Sequence, residues 1–289
     1  MASETQRREA GALLRSRRAQ LAPADLGLPE GARRRSPGLR REEVATLAGI
    51  SVTWYTWLEQ GRDVHPSRQV LDALARTLRL SGTEHAYLLS LAGFSAPPPT
   101  GAAARTAPAH VQRLLDAQAG LPGFAIAADW HIVGWNDAYA ALYPGIAAVP
   151  EPQRNLLRLV FTDPYVRRLL PRWEEDSRRF LAEFRAEAGP RLGDPAVAAL
   201  VRRLRTESAE FRAGWSDHDV RGFTSRERLF SHPDTGELLL EQHQLAPADQ
   251  PGLQVVLYTP VDDGRTPAAW ARLLAARGDR ATVVPCASG

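Results

Sequence analysis

The chain has 289 residues with 44% hydrophobic side chains, enough for two cored domains and too apolar for disorder as a default. Its single cysteine, Cys286, excludes an intrachain disulfide or an all-cysteine zinc site, and no stretch is long and apolar enough to suggest a membrane span. Net charge is +3, carried without any lysine: residues 1–95 hold 14 Arg against 10 acids, and the remainder 22 Arg against 23. The basic excess therefore lies in the N-terminal third, where a polyanion would be met. The arginine bias also fits a GC-rich coding sequence, so arginine count alone carries little weight.

Residues 4–20 read as an amphipathic helix with Leu13 and Leu14 inward. Residues 22–38 hold three prolines, three glycines and the run Arg33-Arg34-Arg35, which is loop chemistry. Four helices are expected next, at 39–48, 51–60, 67–78 and 81–92, with Ser51, Ser67 and Ser81 as N-caps. An Ala/Pro/Gly tract centred on Pro97-Pro98-Pro99 follows and reads as a linker. Beyond it come a helix at 108–119, a hairpin within 122–136 turning at Ala-Asp-Trp, and a helical middle over about 137–218. Strands follow at 224–231, 236–246 and 253–259, then a last helix at 267–277. Two strands, helices and three more strands make an α+β domain with a mostly antiparallel sheet. The expected division is 1–95 first domain, 96–107 linker, 108–277 second domain and 278–289 mobile tail.

Residues 40–61 have the spacing of a helix-turn-helix. Ala45 is the small residue at the helix crossing, and Gly49, four positions on, supplies the turn. Val44, Ala48, Ile50, Tyr55 and Leu58 suit the angle between the helices, and Ser51 caps the second one. The first turns of a recognition helix face the major groove. Val52, Thr53 and Thr56 lie outward there, able to bond base edges or touch thymine methyls. Trp57 lies on the outer face, where it can contact a sugar or a methyl. Arg41 suits a phosphate or a guanine, and Gln60, Arg62 and the amides at Ser51 suit phosphates. Two half-sites about 34 Å apart are the usual route to tight specificity, so a homodimer on a double-stranded operator is expected.

Residues 39–93 resemble the Cro/C1-type (XRE family) helix-turn-helix regulators, above all in Leu58-Glu-Gln-Gly-Arg62 and in Pro66-Ser-x-x-Val-Leu-x-x-Leu-Ala75. The stretches RNLLRLVFTDP, FRAEAG, FRAGWSDHDVRG and GELLLEQHQL are similar to the MmyB-like ligand-binding domain of transcription regulators. The resemblance implies an all-α, five-helix, lambda-repressor-like N-terminal domain. It implies a PAS-like fold for about 108–276 with a small-molecule pocket between sheet and helices, in some relatives holding a long-chain fatty acid.

No cofactor is expected beyond such an apolar effector. The candidate ligand-binding residues are Phe124, Trp135, Asn136, Phe161, Trp173, Phe180, Phe184, Trp215, His218 and Tyr258. Any one ring is better explained by core packing, and His218 equally by a local cap or hydrogen bond. A sensor predicts a cavity of a few hundred cubic ångströms. The alternative, a protein-interaction or dimerisation module without ligand, predicts a dry, fully packed domain with an exposed apolar patch. Ser216, His218 and Asp219 are too close in sequence for triad geometry, there is no Gly-x-Ser-x-Gly elbow, and the histidines lack metal-ligand spacing, so no enzyme is expected. A cytoplasmic regulator with no membrane partner is the expectation.

Overall fold

A computed structural model describes residues 2–28, 38–94 and 105–282. The expected Arg33-Arg34-Arg35 loop, most of the linker, and the tail from 283, with Cys286, lie outside the described residues. Two compact units emerge, Met1–Pro98 with Leu181–Gly222, and Pro99–Phe180 with Phe223–Gly289.

The first unit starts with α1 (Glu4–Gln20). Ser3 Oγ accepts from the Gln6 amide while the Gln6 side chain reaches back to the Ser3 amide. Helices α2 (Arg41–Ala48), α3 (Val52–Glu59), α4 (Arg68–Thr77) and α5 (Gly82–Leu91) follow. Ser51, Ser67 and Ser81 each accept from the amide three residues on, a cap of about 1 kcal/mol apiece. Gly49 ends α2 at φ 69°, a left-handed conformation that favours glycine, and so turns the chain into α3. Leu13, Leu14, Leu39, Val44, Ala45, Tyr55, Leu71, Leu74, Leu88 and Leu91 fill the core. Gly11 lets α1 lie directly on α3, for a Cβ there would fall 2.6 Å from the carbonyl oxygens of Leu58 and Glu59.

The same unit takes in the second half of α10 (Trp173–Ala188), with α11 (Pro195–Glu207) and α12 (Ala209–Ser216). Val197, Leu204 and Phe211 are the buried stripe of this group.

The second unit is built on five antiparallel strands: β1 (Gly123–Ile126), β2 (Ile132–Trp135), β3 (Arg226–His232), β4 (Gly236–Leu245) and β5 (Gln254–Pro260). Their order is β2-β1-β5-β4-β3, so the last strand in sequence sits at the centre. Strand β1 is buried on both faces. Ala125 joins Val111, Leu115, Val133 and Val255 beneath α6 (Ala109–Ala117). On the other face Phe124 meets the rings of Tyr139 at 4.6 Å and Tyr258 at 6.4 Å. Strands β3 and β4 alternate buried and less buried positions, as a sheet covered on one face must. Helices α7 (Asp137–Leu142), α8 (Leu156–Thr162) and α9 (Pro164–Leu169) add to the helical layer, and α13 (Thr266–Thr282) is the last described element, ending five residues beyond the expected helix end at 277.

Candidate DNA-binding surface and effector cavity

On α3 the buried stripe is Tyr55, Leu58 and Glu59. The residues between these positions face outward. Ser51, Val52, Thr53, Gln60 and Arg62 are exposed, as is Trp57 at 37%, while Thr56 is half-buried. The Thr56 hydroxyl donates to the Val52 carbonyl at 2.8 Å, which leaves its oxygen lone pairs outward as acceptors. The Arg62 guanidinium lies 5.8 Å from the centre of the Trp57 ring, so cation and ring form one platform at the C-terminal end of the helix. All the expected DNA-facing residues of α3 therefore share one accessible face.

Arg41 is tied down. Its Nε donates to Glu59 Oε2 at 2.7 Å, while 42% of the side chain remains exposed. Glu59 Oε1 also accepts from Arg18 Nε at 2.5 Å, and Arg15 donates to the Glu59 carbonyl at 2.9 Å. Burial pushes the Glu59 carboxyl up, but the Arg18 and Arg41 hydrogen bonds and charges bring it net below the usual range. One fully buried carboxylate thus links α1, α2 and α3. In the sequence Glu59 stands out only as part of Leu58-Glu-Gln-Gly-Arg62; the signal for its role was an acid falling on the apolar stripe of an otherwise regular helix.

In the second unit a cavity of about 40 Å³ lies between sheet and helices. Of the candidate ligand residues, Phe124, Phe180 and Tyr258 contribute to its wall. So do Tyr139, Tyr143, Leu159, Leu169 and Phe230, which sequence reasoning did not single out; Tyr139 and Tyr143 are spaced i, i+4 beside α7. The volume is well short of the expected few hundred cubic ångströms and holds a few waters at most. An open groove of about 410 Å³ borders it, with Tyr143 and Leu159 common to both walls. At this border the Tyr143 hydroxyl donates to Asp163 Oδ2 at 2.5 Å. Asp163 Oδ1 caps α9 through the amides of Tyr165 and Val166. Burial and the Asp163 charge push the Tyr143 phenol above its usual range, and burial with Asp234 pushes Tyr165 up to about 12, so both stay neutral donors.

The other candidates do not line the cavity. Trp173 packs edge-on to Phe161 at 5.9 Å and donates from Nε1 to the Val160 carbonyl at 2.8 Å, both as core. Trp135 carries Arg154 over its ring at 5.1 Å. Asn136 is structural: Oδ1 accepts from Gly123 and Tyr139 amides, and Nδ2 faces the carbonyls of Leu115, Gln118 and Leu121 within 3.0 Å. The carboxamide both donates and accepts, which ties β1, β2, α6 and α7 together. Phe184, Trp215 and His218 belong to the first unit, where His218 Nδ1 lies 3.2 Å from Glu9.

A family model for the MmyB-like transcription regulator ligand binding domain matches residues 107–274, and a helix-turn-helix domain model matches residues 9–88. The first match alone covers more than half of the chain. The chain belongs to the MmyB-like transcription regulators. Both modules are regulatory rather than enzymatic, and the regulator is a DNA-binding protein. Comparison with curated proteins gives no match. Among the described residues no helix is long and apolar enough to cross a membrane.

Proposed function

We propose that the regulator binds its operator as a cytoplasmic homodimer. Val52, Thr53 and Thr56 read base edges, while Arg41, Gln60, Arg62, Trp57 and the amides at Ser51 hold the backbone. The observation that carries this is the single accessible face of α3, with exposed Val52 and Thr53 beside the Arg62–Trp57 platform. Thr53→Ala is expected to flatten base preference in fluorescence anisotropy against single-base operator variants. Arg62→Ala is expected to weaken all duplexes alike and to lower the salt slope by about one. Unchanged binding by both variants would remove the assigned docking.

The second domain, in this proposal, senses an apolar small molecule such as a fatty acid, with no further cofactor. The apolar wall around Phe124, Phe180 and Phe230 supports the chemistry. Ligand pockets run to about 300–1,000 Å³, so occupancy requires Tyr143 to swing and join the cavity to the neighbouring groove. Native mass spectrometry of the purified chain, before and after adding myristate, tests this and counts protomers at once. A bound mass adduct lost in Phe180→Trp supports the sensor. The small volume favours a second reading, a ligand-free dimerisation or protein-interaction module, for which no adduct appears at any myristate concentration.

A further inference from the structure

Residues 181–222 fall inside the match to the ligand-binding domain, yet they pack in one unit with the helix-turn-helix. The surfaces meet closely at three glycines. A Cβ on Gly189 would collide with the Tyr87 ring, one on Gly193 would lie 3.0 Å from Ser3 Oγ, and one on Gly222 would lie 2.9 Å from Thr83 Oγ1.

Between these points sits a charged cluster. The Arg185 side chain is fully buried, with Nε 3.1 Å from Glu9 Oε1. Its remaining nitrogens donate to the carbonyls of Trp215 and Asp219, and the guanidinium lies 4.3 Å from the centre of the Trp215 ring. Glu9 also accepts from the Tyr87 hydroxyl at 3.1 Å and faces His218 Nδ1 at 3.2 Å. His218 holds φ 53°, a left-handed conformation uncommon outside glycine. Alongside, Arg17 of α1 pairs with Glu84 and lies 3.7 Å from Asp219. A buried ion pair is poor at adding stability, but it punishes any misplacement, because a separated partner stays charged and dry.

The cluster stands on two rods, each with a second duty. Helix α10 carries Phe180 in the cavity wall and Arg185 five residues on, about 7.5 Å along the axis. Helix α1 carries Glu9 in the cluster and, further along, Gly11, Arg15 and Arg18 against α3. The two rods meet at the Glu9–Arg185 pair.

We propose that residues 181–222 form a clasp by which the ligand-binding domain grips α1 through Glu9, Arg185 and His218, and that opening the clasp retunes operator affinity. This rests on the DNA-binding assignment and needs no particular effector.

The pair Ser3→Cys/Gly193→Cys, in a full-length Cys286→Ser background, tests it, since the close approach of these two positions suits a disulfide. The probe is a duplex selected by the wild-type protein from a randomised pool. Mild oxidation is expected to cross-link the chain intramolecularly. Operator Kd is expected to change at least fivefold between oxidised and reduced forms, with the reduced form matching wild type. Failure to cross-link overturns the clasp itself, and cross-linking without a change in Kd overturns its regulatory role. His218→Ala, which keeps the buried Arg185–Glu9 pair, supplies an independent readout. Deuterium uptake should rise in 4–20 and 181–188 and stay constant in β3 to β5; unchanged uptake in the first two segments counts against the clasp.

Discussion

Replacing Glu59 by alanine leaves two cations facing a void. Arg18 keeps its hydrogen bond to the Leu39 carbonyl at 2.8 Å, but only 14% of its side chain is exposed, so its charge cannot be fully hydrated. Arg41, at 42% exposed, turns to solvent. Removing one partner of a buried pair costs about 3–5 kcal/mol, and the escape of Arg41 puts the loss near the lower end, about 3 kcal/mol. For a unit of this size each kcal/mol moves the midpoint by about 2–4 °C, so Glu59→Ala should melt about 6–12 °C early. Circular dichroism at 222 nm gives the measurement, with Glu207→Ala as comparator. That change deletes the Arg203–Glu207 pair, at 2.7 Å between exposed side chains on one helix, a contact worth about 0.2–1 kcal/mol. Equal melting of the two variants would refute the view that one carboxylate fastens the three helices.

Gly11→Ala gains helix propensity of about 1 kcal/mol, but its Cβ meets backbone oxygens at 2.6 Å; it should lower the melting midpoint and weaken operator binding, and a stabilised variant would contradict the close α1–α3 approach. His131 and His232 are both held below the usual histidine range, chiefly by burial, with the Arg105 charge adding to it for His131. The unfolded chain therefore takes up more protons below about pH 6.5, and their stability contribution, complete above that value, is lost as pH falls through the folded-state values. Differential scanning fluorimetry should show a lower midpoint at pH 5.5 than at pH 7.5, with the difference reduced in His131→Gln/His232→Gln; a flat profile would refute this. Asn136→Ala orphans the Gly123 amide and the carbonyls around it, each buried unsatisfied group costing about 1–3 kcal/mol; calorimetry should show a loss of several kcal/mol, and a change under 1 kcal/mol would show that water replaces the amide.

The exposed face of α3 was legible because local rules govern it. Ser51 caps its own helix, Gly49 satisfies its own turn, and a period of 3.6 sorts Tyr55 inward from Thr53 and Trp57 outward. The strands were legible from alternation, but not their order, since nothing near Gln254 says that it pairs with Ile126. His218 and Trp215 read, by chemical type, as either ligand contacts or local structure. Their partners, Glu9 and Arg185, lie far away in sequence, and no short window reveals such a cluster. Asn136 misled in the same way: a polar group at a strand end suits a ligand, and it serves equally well as a backbone tie.

The central position of β5 carries a consequence for biosynthesis. When β1 and β2 leave the ribosome, the edge of β1 that β5 will occupy is open, and it stays so while all the intervening helices and β3 and β4 are translated. An unpaired strand edge invites association with other nascent chains. The order of synthesis thus makes the segment from Gln254 onward decisive for yield: truncation before Gln254 should give insoluble protein even though most of the second unit has already been made.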